Sequence, residues 1–206
     1  MQTPPPLAES PASISQFWFG DLADAAQVAA AQSSLWWGKN PAQDAEVHQR
    51  FAPSMQAASR GELDGWLLKP PGRLALILLA DQFTRMAWRD TPQAFALDPL
   101  ALHWSQQGVA LGQHHLLRPI EQVFFYMPLM HAEALADQAH CITLFTALVQ
   151  ATPAAQRATF QRNLDFAQRH HAIIARFGRF PHRNLLLGRA STVEELAFLQ
   201  EPGSSF

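Results

Sequence analysis

Apolar residues along this chain recur at helical spacing, and no run combines a period of two with β-branched enrichment. The pattern predicts an all-α fold. Residues 14–19 (ISQFWF) read as a short helix packed by aromatics and ended near Gly20. Asn40-Pro41 pairs an N-cap with a first-turn proline and opens a helix through AQDAEVHQRF. Gly61 and the cluster Lys69-Pro70-Pro71-Gly72 punctuate the next stretch, ahead of a helix over LALILLADQFTRMAW, residues 74–88. Asp98-Pro99 is a second cap-plus-proline start, for LALHWSQQGVALG. Pro119 and Pro128 are read as opening two further helices, the second reaching about Val149, and a long helix follows from about Pro153 to Phe177. Gly178 suits the left-handed residue that ends a helix, and Pro181 prevents continuation. Ser191 with Glu194 and Thr192 with Glu195 both read as capping boxes of a last short helix. The Pro-rich residues 1–12 are expected to form a loose arm, leaving 13–206 as one all-α domain, a helical bundle or superhelix.

Polar residues interrupt these apolar faces in three places. On a wheel of 100° per residue, the apolar side chains of 74–88 point in every direction, the pattern of a helix buried all round. Asp81 and Arg85 lie four apart in its middle, acid before base, and so are expected inside the core as a pair. In PLMHAEALADQAHCITLFTALV, His131 and Gln138 interrupt the stripe of Leu135, Ile142, Phe145 and Val149, while Glu133, Asp137 and His140 fall opposite. His131 and Glu133 are two apart, so they cannot face one ion from one helix. In QRNLDFAQRHHAIIARF, His171 joins the stripe of Phe160, Leu164, Ala167 and Ile174, with His170 on its flank. Arg162, Arg169 and Arg176 line the far side, with an expected Asp165–Arg169 pair. Beyond that helix Arg176, Arg179, His182, Arg183 and Arg189 crowd around Pro181 and Asn184. Arginines gathered beside a helix start suit an anion. Equally, they could tie down carboxylates of the chain such as Glu133 or Asp137.

Composition narrows the function classes. The 206 residues are 48% hydrophobic, enough for a sizeable core, and the formal net charge is −2. That balance argues against a general nucleic-acid or anionic-membrane binder. Lys39 and Lys69 are the only lysines, so arginine supplies the other basic residues. The single cysteine, Cys141, excludes a disulfide framework or a CxxC site and fits a reducing compartment. MQTPPPLAESPAS lacks the basic and apolar regions of a signal peptide, and the longest apolar run is too short to span a bilayer. A cytoplasmic protein is expected. There is no P-loop, no GxGxxG and no GxSxG.

The combination DQFTR, YMPLMHAEALADQ and IIARFGRFPHRNLLLGR, closed by a capping box, resembles the bacterial family catalogued as domain of unknown function 924. The likeness runs from FWFG to the C-terminus. It implies a helical fold similar to tetratricopeptide-like superhelices and no established activity. The family's polar positions fall on Asp81, Gln82, Arg85, His131, Glu133, Asp137, Gln138, His170, Arg176, Arg179, His182, Arg183 and Asn184. This match favours His170 over His171. The chain departs from the family at Thr84, Met86 and Ala132, where Pro, Asn and Ser are usual.

Two functions from different classes follow. One is a site for a small anionic ligand, a carboxylate or phosphate, with no metal or other cofactor. His131, His170 and Glu133 are its candidate catalytic residues; Asp81, Gln82, Arg85, Gln138, Arg176, Arg179, His182, Arg183 and Asn184 are its candidate ligand contacts. The other is a tetratricopeptide-like interaction module that holds an acidic peptide of a protein partner in a groove. A buried Asp81–Arg85 pair favours the first, because a peptide groove has no need of a core ion pair.

Overall fold

A computed structural model describes residues 9–204. Among these there is no strand, and the chain is one all-α domain. Helix α1 (Pro11–Phe19) is capped by Ser10 through a reciprocal box with Ser13, while Glu9 pairs with Arg50 at 2.6 Å. The last four residues of the expected arm therefore belong to the domain; residues 1–8 lie outside the described ones. Helices α2 (Ala25–Ala31) and α3 (Ser33–Trp37) lead to α4 (Pro41–Ser59), which Asn40 caps and which continues through Pro53. Pro70 and Pro71 occupy the first turn of α5 (Pro70–Ile77), where their missing N–H groups cost nothing. The same rod continues as a π-helical turn (Leu78–Phe83) and then α6 (Thr84–Ala87). The others are α7 (Asp98–Ala110), α8 (Pro119–His131), α9 (Leu135–Ala151), α10 (Arg157–Phe177) and α11 (Val193–Phe198).

Four local expectations are corrected. Pro128 does not open a helix. It lies inside α8, and Ser105 Oγ and Cys141 Sγ donate to the carbonyls of Phe125 and Tyr126 in the turn before it. The break comes instead at residues 132–134, so His131 ends one helix and Gln138 belongs to the next. Asp98 does not cap α7; it is the first helical residue, and its carboxylate is taken by arginines. Of the two capping boxes only that of Thr192 and Glu195 forms, because Glu194 pairs with Arg176 and Ser191 accepts from Asn184. Asp165 accepts from Gln161, and Arg169 lies over Phe166 rather than pairing with Asp165 as expected.

The main core is aromatic. Trp18, Phe51, Phe83 and Phe124 are fully buried, and Phe83 lies 4.6 Å from Phe51 and 5.3 Å from Trp18, ring centre to ring centre. A second, smaller cluster of Ile173, Ile174, Phe180 and Phe198 secures the C-terminal segment. The polar residues sit where the two meet. Asp81 and Gln82 are on the buried π-helical turn, His131 is at the end of α8, and Arg183 lies over Phe180 of the smaller cluster. Among the described residues no helix is long and apolar enough to cross a membrane.

Candidate functional site

Asp81 is the centre of the arrangement. It is 1% exposed, and its two oxygens have different partners. His131 Nδ1 lies 2.7 Å from Oδ1, and Gln82 Nε2 donates to Oδ2. Arg85 is more distant, with its Nη2 3.5 Å from Oδ1. Burial alone would raise the carboxyl pKa, but the His131 and Arg85 charges outweigh it and hold the group well below the usual carboxylate range. Because Asp81 is ionised, it can only accept, so the proton of the short contact is on His131 Nδ1.

The predicted Asp81–Arg85 pair therefore forms at its weakest limit, and each member has a nearer partner. The π-helical turn bonds i to i+5, which displaces the following residues from a strict α-helical wheel. Arg85 turns instead to Asp98. Its Nη1 and Nη2 lie 3.0 and 3.1 Å from the two carboxylate oxygens, and Nη1 also donates to Ala94 O at 2.8 Å. Arg183 reaches the same carboxylate, with Nη1 3.4 Å from Asp98 Oδ2 and 3.1 Å from His131 O. Two guanidiniums thus converge on one carboxylate. Arg183 lies over both Phe95 and Phe180, at 5.0 and 4.5 Å from the ring centres, and Arg85 also lies over Phe95. Burial and the neighbouring Arg85 lower the Arg183 pKa to about 10, so it stays charged at neutral pH. Its Nε is buried and has no hydrogen-bond partner among the described residues.

Two more imidazoles border the cluster. His170 lies 6.1 Å from His131, ring centre to ring centre, and its Nδ1 is 2.8 Å from Phe166 O. A carbonyl only accepts, so that nitrogen carries the proton. Burial, reinforced by His131 and Arg183, pushes the His170 pKa down to about 3 and leaves the ring neutral. His182 is pushed down to about 4, first by burial and then by Arg183.

The remaining predicted residues form a separate structure around the C-terminal hook. Glu133 accepts both Nη groups of Arg189, at 2.6 and 2.9 Å, and the backbone N–H of Phe180. Glu195, 2% exposed, accepts Arg179 in a bidentate pair at 2.6 and 2.8 Å, and also Asn184 and the Thr192 N–H. Arg176 pairs with Glu194 at 2.9 Å on the surface. Gln138 donates to Met130 O and Ala132 O, closing the break between α8 and α9, and Asp137 accepts from Gln106.

A family model described as a bacterial protein of unknown function (DUF924) matches residues 14–203. The chain belongs to the DUF924 family. A solved structure of a protein of unknown function from Agrobacterium tumefaciens is 36% identical to this DUF924 chain. It covers 92% of this chain and 96% of its own length, with a TM-score of 0.78. No curated protein matches.

The DUF924 chain therefore divides its predicted site in two. Asp81, Gln82, Arg85, His131, His170, His182 and Arg183 come together, while Glu133, Arg176, Arg179 and Asn184 belong to the C-terminal clamps and Gln138 closes the α8–α9 break. Among the described residues no three His, Cys, Asp or Glu side chains are grouped to hold a metal ion. Sequence reasoning missed Asp98, because an aspartate before a proline has the signature of a helix cap. It also missed Phe95, for which no signal was available. Arg189, the partner of Glu133, was noticed only as one of a crowd.

Proposed function

We propose that the protein binds a small anion, a carboxylate or a phosphate, where Arg85 and Arg183 converge beside His131. The observation that carries this reading is that Arg183, which shares Asp98 with Arg85 and reaches it only at 3.4 Å, keeps a buried Nε with no hydrogen-bond partner among the described residues, whereas Arg176, Arg179 and Arg189 each have a carboxylate of their own. A guanidinium offers five donors in a fixed fork, more than a shared carboxylate can satisfy. The Arg85 side chain keeps 22% of its surface exposed. Phe95 lies over both cations and limits the planes they adopt. Burial strengthens their attraction for an anion relative to an arginine on the open surface.

A tetratricopeptide-like module holding an acidic peptide is the competing reading. The α9–α10 hairpin gives it some support in shape. It does not account for the polar cluster, which lies between two apolar clusters and is mostly buried. The near-neutral composition and the buried lone Cys141 support a soluble cytoplasmic protein that does not bind nucleic acid.

Thermal-shift measurements with inorganic phosphate, phosphate esters and small mono- and dicarboxylates test the proposal. A ligand at about a hundredfold over its Kd adds roughly 2.7 kcal/mol of stability, a rise of several degrees in Tm for a domain this size. A selective rise for one chemical class is expected. A flat response across the panel would overturn the reading.

A further inference from the structure

The clearest chemistry in the site is the direction in which protons are held. Asp81 and His131 are joined through Nδ1, with the carboxylate buried and fixed from its other side by Gln82. In the neutral ring that bond leaves the imidazole lone pair on Nε2. The ring sits at the C-terminal end of α8, and 14% of its side-chain surface is exposed. A buried carboxylate behind Nδ1 of a partly exposed ring is the geometry of a general base. Arg85 Nη2 approaches the same oxygen, Asp81 Oδ1, that accepts His131 Nδ1, so guanidinium and imidazole stand beside each other.

Among the described residues no equally placed acid accompanies this base. The Nδ1 proton of His170 is committed to Phe166 O, and the ring stays neutral at ordinary pH. Burial keeps His182 neutral as well. Chemistry that expels a group needs a proton donor for it, which neither neutral imidazole supplies readily. Chemistry that removes a proton and returns it through the same nitrogen needs none.

We infer that His131 is the general base of an enzyme acting on a small carboxylate, taking through Nε2 a proton from a carbon made acidic by a neighbouring carbonyl. The C–H bond breaks and its proton passes to Nε2. The electron pair stays on the substrate and spreads onto the carbonyl oxygen as an enolate, whose charge the Arg85 and Arg183 guanidiniums offset. The imidazolium formed faces Asp81, which is a positioning residue. Return of the proton from Nε2 to carbon completes the exchange, so no oxidant, reductant or second substrate is required. This inference rests on the anion-site reading above and adds to it the substrate class and the reaction.

The test follows deuterium incorporation from D2O into pyruvate, 2-oxoglutarate and malonate by proton NMR, with saturation-transfer NMR on the same samples to read binding. The expected result is exchange of at least one bound probe above the buffer rate. His131→Asn should lower that exchange by about 10²–10⁴-fold while the saturation-transfer signal remains. Asp81, Arg85, His170, His182 and Arg183 are the charged and titratable groups around His131. Of these, Asp81→Asn removes the negative one in contact with the ring, so it should slow exchange and move the low-pH limb of the rate profile to lower pH. A merely structural Asp81 would not move that limb. Binding without exchange in the wild-type protein would overturn the inference and leave the anion site standing. Absence of binding to all three would overturn the inference, and the anion site falls with it only if the phosphates of the thermal-shift panel fail to bind as well.

Discussion

The two arginine-rich regions of this molecule use the same side chains to different ends. Around the C-terminal hook, Arg179 is held by Glu195 and Arg189 by Glu133, one cation to one carboxylate, each through two hydrogen bonds. The carboxylates are also tied to backbone N–H groups of Thr192 and Phe180. Such pairs close on themselves and fasten the chain. At the junction of the two apolar clusters, Arg85 and Arg183 share Asp98, and Asp81 has His131 as its nearest ionisable partner. The difference lies in how fully each charge is matched inside the chain, and residue type alone does not reveal it. A matched arginine is a clamp. Arg183, which shares its carboxylate, has a buried Nε with no partner among the described residues.

Removing Asp98 should break this comparison most severely. Asp98→Ala leaves the buried Arg183 without a carboxylate and Arg85 with only the more distant Asp81, a loss of about 3–5 kcal/mol in urea unfolding if the charges stay buried. Added phosphate should restore part of it if the two cations form an anion site. Removing the hook's acid should cost less. Glu195→Gln keeps the shape but weakens the Arg179 pair, and because that arginine is partly exposed, a smaller loss than that of Asp98→Ala is expected. Phosphate should not restore it. Equal rescue of both variants would mean that the two regions do not differ in the way described.

Acidification separates the regions more gently. His170 and His182 have folded-state pKa values near 3 and 4, below the ordinary 6.5, chiefly through burial. The unfolded chain therefore binds their protons more readily, so their contribution is complete above pH 6.5 and lost as the pH falls toward those values. Glu195 is lowered from 4.5 to about 2, mainly by the Arg179 hydrogen bonds, and its contribution is complete above pH 4.5 and lost as the pH falls toward 2. Between pH 6.5 and 4.5 the junction should loosen while the hook holds. Amide hydrogen exchange at α10 and α11 across that range reads the difference, and simultaneous loss of protection in both would contradict it.

Much of this was legible in the sequence. The apolar run around Asp81 and Arg85 marked a buried segment, and the histidine on an apolar face was the one that meets Asp81. What could not be read was the pairing. Asp98 comes from a distant helix start, and its carboxylate looked like a cap because local pattern says nothing of which arginines will arrive from elsewhere. The wheel also assumed an unbroken α-helix through 74–88, and the π-helical turn at Leu78–Phe83 leaves no mark in residue composition. Pro128 misled for a related reason: a proline inside a helix and a proline opening one have the same signature until the surrounding helices are known.

The central claim is tested most directly by titrating the bound anion against two matched variants, Arg85→Lys and Arg179→Lys, by calorimetry. Both keep the positive charge and lose the planar fork. The account predicts that Arg85→Lys weakens binding by about tenfold or more, equivalent to at least 1.4 kcal/mol, while Arg179→Lys binds as the wild-type protein does. Unchanged affinity in Arg85→Lys, or an equal loss in Arg179→Lys, would contradict the division between an anion site and a clamp.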